Sequence, residues 1–110
     1  MRDVYVVSAV RTAIGKAKRA LALQNPVQVG ATVIREAVAR SGVPADKIDD
    51  MVIGCAFPEG EQGMNFARIV GVAAGLPDTV SALTINRFCS SGLEAIHIAA
   101  AKIRCGYFDV

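Results

Sequence analysis

Short apolar runs rich in β-branched residues alternate along this chain with stretches of helical spacing, and that alternation restricts it to one class of fold. The runs are residues 4–10, 51–55 and 80–85. The first is nearly continuous in apolar side chains, as expected of a strand covered on both faces. A helix is predicted after Asn25 and Pro26, because asparagine caps free N–H groups and proline at the first helical position forfeits no hydrogen bond. Ala31, Ile34, Ala37 and Val38 recur at helical spacing, and Gly42 closes the run. Residues 43–48 read as a turn holding at most one helical turn. A second helix is predicted over residues 64–74, stopped by Gly75, Leu76 and Pro77, and a third over residues 94–104. Strands separated by helical crossovers pair in parallel, with right-handed connections and helices on both faces of the sheet. The expected class is therefore α/β, in the order β-loop-α-β-α-β-α, with residues 107–110 starting a further strand. That last strand would be left unfinished, so the 110 residues read as the N-terminal portion of a longer domain.

Composition narrows the partners. Hydrophobic residues make up 53% of the chain, enough for a mostly covered sheet in a single domain or part of one. A net charge of +2 is too small to argue for nucleic acid, and the one basic cluster, Arg11, Lys16, Lys18 and Arg19, reads as a solvated loop. Cys55, Cys89 and Cys105 are odd in number and lack CxxC spacing, which argues against a disulfide framework and against a metal site. A reducing cytoplasm is the expected home. The N-terminus reads as a strand rather than a signal peptide, and no apolar run approaches the length of a membrane span.

One stretch carries chemistry. Asn86-Arg87-Phe88-Cys89-Ser90-Ser91-Gly92-Leu93 sits where the third predicted strand turns into the third predicted helix. A free cysteine defaults to a buried, inert side chain. At a strand–helix junction, however, the first N–H groups of the helix point at the thiol and the helix dipole favours the thiolate. Ser90, Ser91 and Gly92 are small enough to let a substrate approach. Cys55 and Cys105 end regular elements and read as structural. His97 lies two helical turns beyond Cys89 and reads as a hydrogen-bonded side chain rather than a base. Gly15-Lys16 lacks the rest of a phosphate loop. Glu59 and Glu61 have no general-acid spacing. Asn65 and Arg68, three apart on a helix, are expected to hydrogen-bond near the nucleophile turn or a partner subunit.

The sequence resembles the thiolase family, the acetyl-CoA acetyltransferases and 3-ketoacyl-CoA thiolases. The match runs through Ser8-Ala9-Val10-Arg11-Thr12 with Ile14-Gly15-Lys16, Gln62-Gly63-Met64-Asn65-Phe66-Ala67-Arg68, Ala74-Gly75-Leu76-Pro77 and Thr84 to Ile96. The resemblance implies a thiolase-like, mostly parallel sheet and makes Cys89 the nucleophile that accepts the acyl group of a 3-ketoacyl-CoA. The Cys89 N–H would supply part of the oxyanion hole. Coenzyme A would be co-substrate, with no covalently bound cofactor, and the parent would be a homo-oligomer, residues 80–86 offering an edge for pairing across a two-fold. The family's activating histidine, second cysteine and most of its CoA-binding loop lie downstream of these motifs, so the 110 residues alone are expected to be inactive. Ala13, Lys18 and Arg19 depart from the family's usual proline and glycines, leaving contacts of residues 11–19, a CoA phosphate among them, unassigned. Two alternatives stand beside this: a ketoacyl-synthase-type condensing enzyme, and a non-catalytic acyl-CoA or lipid-binding relative. The helix after Cys89 is apolar nearly all round, which marks a buried helix in the intact family and an adhesive one without cover.

Overall fold

Asn25 accepts a hydrogen bond from the Val27 N–H at 2.8 Å and, with Pro26 behind it, opens helix α1 over Pro26–Ser41. In the computed structural model, which describes residues 1–110, α1 stops at Gly42 with φ at 71°, where a missing Cβ makes the left-handed turn cheap. A short 3-10 turn, Ala45–Lys47, leads into strand β1, Asp50–Gly54. Helix α2 covers Phe66–Ala74, strand β2 Ser81–Ile85, and helix α3 Ser91–Arg104. No helix is long and apolar enough to cross a membrane.

The two strands pair in parallel, Asp50 opposite Ser81 and Gly54 opposite Ile85. Side chains alternate across a strand, and β1 uses both faces. Met51 and Ile53, with Cys55 just beyond, pack with Ala67, Phe66 and Val70 of α2 and Ile34 of α1. Asp50, Val52 and Gly54 look the other way, toward α3. Helices therefore cover both faces of a parallel sheet, as the alternation of runs predicts. Gly30 sets the spacing of α1 on α2: a Cβ there would lie 3.0 Å and 3.1 Å from the two γ-carbons of fully buried Val70.

Asn65 and Arg68 fasten α2 to β2. Asn65 Oδ1 faces the Arg68 N–H at 3.4 Å and accepts the Thr84 hydroxyl at 2.8 Å, while Nδ2 donates to the Ala82 carbonyl at 3.0 Å. Thr84 in turn accepts the Ala67 N–H at 2.8 Å. The Arg68 guanidinium donates to the Val80 carbonyl at 2.7 Å. The structural role expected of this pair is found, but its partners are the backbone and the Thr84 hydroxyl of the β2 segment rather than the turn that carries Cys89.

On the other face, the Asp50 side chain is only 8% exposed, pairs with Lys102 of α3 and accepts the Ser81 hydroxyl at 2.7 Å. The Lys102 ammonium also stands 5.3 Å from the centre of the Phe108 ring. Burial opposes a charge on Asp50, yet Lys102, Ser81 and the Met51 N–H together outweigh it and hold the carboxyl below its usual range.

Two expected strands are absent. Residues 4–10 form no strand: none of their backbone groups joins a ladder, and Tyr5, Val6 and Val7 are exposed. An open apolar trough separates Val10 from Val52 and Ile53 of β1, and hydrophobic character without a hydrogen-bonding neighbour does not make a strand. Residues 107–110 also stay irregular. The Asp49 carboxylate accepts the N–H groups of Asp109 at 2.8 Å and Val110 at 3.1 Å, taking donors that a ladder would use. The observed order is thus αβαβα. Helix α3, read as a buried type from its sequence, buries only Ser91 and Ala95 and leaves Leu93 and Ile96 more than half exposed.

Candidate active site

Strand β2 ends at Ile85, and its chain turns through a 3-10 segment, Phe88–Ser90, directly into α3. Three side-chain bonds shape that turn. The Phe88 N–H donates to Asn86 Oδ1 at 2.8 Å, which is the local turn chemistry asparagine supplies. Ser91 Oγ accepts the Arg87 N–H at 2.9 Å and donates to the Phe88 carbonyl at 2.6 Å. Phe88 is held at φ 46°, a left-handed conformation that costs a residue with a Cβ roughly 1–2 kcal/mol. Asn86 and Ser91 clamp it from both sides, the over-determination that lets a strained residue persist.

Cys89 sits on the crest of this turn, exposed, in the position the sequence assigns to a nucleophile. Its backbone N–H takes no part in the hydrogen bonds that close the turn, which run from Ser90 N–H to Arg87 carbonyl and from Ser91 N–H to Phe88 carbonyl. A free donor thus lies beside an accessible thiol, which is what an incoming carbonyl needs. Ser91, expected to leave room for substrate, does something else. It is 4% exposed, and its hydroxyl is spent inside the turn.

The remaining candidates fall away from the crest. His97 Nδ1 lies 3.9 Å from the Glu94 carboxylate, beyond hydrogen-bond reach, so the hydrogen bond expected of His97 is not formed; that carboxylate accepts the Arg87 guanidinium at 2.6 Å. Glu94 in the first turn of α3 is where a negative charge suits the helix dipole. Cys105 follows the far end of α3, about 20 Å away at 1.5 Å per residue. Cys55 is buried; its N–H donates to the Ile85 carbonyl at 2.9 Å and its sulfur lies 3.8 Å from Gln62 Oε1. No three His, Cys, Asp or Glu side chains converge on a point where a metal could bind.

One contributor escapes sequence reasoning. Gly54 ends β1 directly beneath the start of α3, and a Cβ on it would lie 2.3 Å from the Ser91 carbonyl carbon and 2.6 Å from the Gly92 nitrogen. Only a bare backbone admits the helix so close. A lone glycine at a strand end is the available signal, since it marks close approach of another backbone.

Comparison with known proteins fits this geometry. Residues 4–110 match the family described as thiolase, N-terminal domain. The 3-ketoacyl-CoA thiolase of Bacillus subtilis is 50% identical over 99% of the chain, which spans 28% of that relative's length. Among solved structures, the Acat5 thiolase of Ascaris suum in complex with coenzyme A superposes with a TM-score of 0.89 at 36% identity, over 97% of this chain and 28% of that one. The acetyl-CoA acetyltransferase of Bacillus anthracis gives 0.86 at 40% identity, over 94% of this chain and 26% of that one.

Proposed function

Because the chain belongs to the thiolase family, we propose that Cys89 is the acyl-accepting nucleophile of an acyl-CoA C-acyltransferase whose other parts lie outside these 110 residues. The parent enzyme cleaves a 3-ketoacyl-CoA with coenzyme A, or condenses two acetyl-CoA in the reverse direction. In the forward direction the Cys89 sulfur attacks the keto carbon and the carbonyl pair moves onto oxygen. The Cys89 N–H donates to that oxyanion, which collapses to break the carbon–carbon bond. The electron pair stays on the acetyl-CoA α-carbon, and a proton donor from outside these 110 residues protonates it to release acetyl-CoA. The acyl thioester left on the sulfur is then taken by coenzyme A. A thiolate suits both steps, being a good nucleophile and a good leaving group.

The observation that carries this reading is an exposed thiol beside an unspent N–H, on a turn held by three side-chain hydrogen bonds. The chain spans 28% of the length of its thiolase relative, and its single histidine, His97, stands about two helical turns along α3 from Cys89. Turnover therefore waits on a base from elsewhere, and the chain by itself performs at most a slow acylation. Incubation with radiolabelled acetyl-CoA followed by peptide mapping tests the assignment. Label is expected on Cys89 at least about tenfold above Cys105, which is also exposed but has no comparable turn around it. Equal labelling of the two cysteines would remove Cys89 from the role, as would steady thiolysis of acetoacetyl-CoA by a Cys89→Ser chain.

A further inference from the structure

Of the two glycines at which an added Cβ would come closer than 3.0 Å to another atom, Gly54 and Gly71, only Gly54 meets backbone there. Gly71 faces the flexible end of Met51, and Gly30 faces two methyl groups of Val70. A side chain at Gly54 meets only backbone, at 2.3 Å from the Ser91 carbonyl carbon and 2.4 Å from its oxygen. Backbone at the start of a helix cannot swing aside as a methyl can. Ser91 is also the residue whose hydroxyl clamps Arg87 and Phe88, on either side of the bond leading toward Cys89. Strand β1 and the nucleophile turn are thus mechanically joined through one residue that has no side chain and one that spends its side chain on the turn.

We infer that Gly54, acting through Ser91, is a positioning residue that fixes the height of the Cys89 turn above the sheet and so aims the Cys89 N–H at the developing oxyanion. The inference rests on the reading of Cys89 as the acyl acceptor. Ordinary Cβ contacts begin near 3.4 Å, so an alanine at position 54 lifts the start of α3 by about 1 Å, a displacement able to cost roughly a hundredfold in a reaction that depends on alignment. The thiol itself stays exposed. Gly54 therefore governs the oxyanion contact and not access to the sulfur.

Two reactions of the same sulfur separate these quantities. Alkylation by iodoacetamide forms the C–S bond as iodide leaves, with no oxyanion and no call on the N–H. Acetyl transfer from S-acetyl-N-acetylcysteamine passes through a tetrahedral oxyanion before the C–S bond to the donor breaks and its thiolate leaves, to be protonated by water. Both rates are measured at Cys89 by mass spectrometry on the whole chain, in Gly54→Ala and in Ser91→Ala, which loosens the clamp without adding volume. Gly71→Ala serves as a packing control, and buried Cys55 reports on folding in the same digest.

The expected result is a fall in acetyl transfer of about tenfold or more in both variants, with alkylation changed less than about threefold and Gly71→Ala near wild type in both reactions. Loss of Cys55 protection in Gly54→Ala would leave Ser91→Ala as the deciding variant. A parallel fall in both reactions, or no fall in either, overturns the inference while Cys89 keeps its role. Acetylation of wild-type Cys89 no faster than Cys105 overturns the nucleophile reading itself, and is seen before any variant is made.

Discussion

Replacing Asn65 by alanine tests how β2, the strand that leads into the Cys89 turn, is held. Asn65 caps α2 through an acceptor 3.4 Å from the Arg68 N–H, takes the Thr84 hydroxyl at 2.8 Å, and donates to the Ala82 carbonyl at 3.0 Å. A lost cap costs about 1 kcal/mol, though the long Arg68 contact argues for the lower half of that range. Each of the two bonds to β2 contributes about 1 kcal/mol net, less where water replaces the partner. Asn65→Ala should therefore lose about 2 kcal/mol, or roughly 10 °C in Tm for a domain of this size. Asn65→Asp separates the arms. The carboxylate keeps the Thr84 bond and improves the cap through the helix dipole, but sets a negative oxygen against the Ala82 carbonyl, so about half the loss should return at neutral pH. Urea titration followed by far-ultraviolet circular dichroism measures both variants. An alanine variant within about 0.5 kcal/mol of wild type would show that these contacts are replaced by water at no cost, refuting the assignment of Asn65 as the α2–β2 fastener.

Two further outcomes follow from the packing. Asp50 and Asp49 have carboxyls held below the ordinary value of 3.8, Asp49 by the N–H groups of Asp109 and Val110. Their stabilisation is complete above that value and is lost as pH falls through the lowered one, because the unfolded chain binds protons first. Asp50→Asn should flatten the acid limb of a stability–pH profile and lower its neutral plateau; an acid limb superimposable on wild type would contradict the pairing with Lys102. At the α1–α2 crossing, Gly30→Ala should destabilise when made alone, overpacking outweighing the gain of about 1 kcal/mol from removing a helical glycine. Combined with Val70→Ala it should show a favourable coupling of about 1 kcal/mol, and strictly additive effects in the double-mutant cycle would deny the contact.

Much of this was legible in the chain. Asn25, Pro26 and Gly42 bound α1 because capping is local chemistry, and Gly75 stops α2 for the same reason. The placement of Cys89 between a β-branched run and a helical one was equally local. What could not be read depends on partners distant in sequence. Residues 4–10 have the composition of a covered strand, but composition does not state which edge is within bonding reach, and here none is. Ser91 looked like open space beside the thiol because a small side chain says nothing about where its hydroxyl points. Gly54 looked like the end of a strand, and its role appears only when α3 is laid across it. The Asp50–Lys102 pair joins positions 52 residues apart and follows no short-range pattern.

The spacing of these ties along the chain ranks the entropy each one must overcome. The Asn65–Ala82 bond closes a loop of 17 residues, whereas Lys102 reaches Asp50 across 52. Loop-closure entropy grows with the logarithm of length, so the shorter loop is cheaper by about 1 kcal/mol before any contact energy is counted. The corner formed by α2 and β2 is thus more accessible from the unfolded chain than the clasp of α3 on β1.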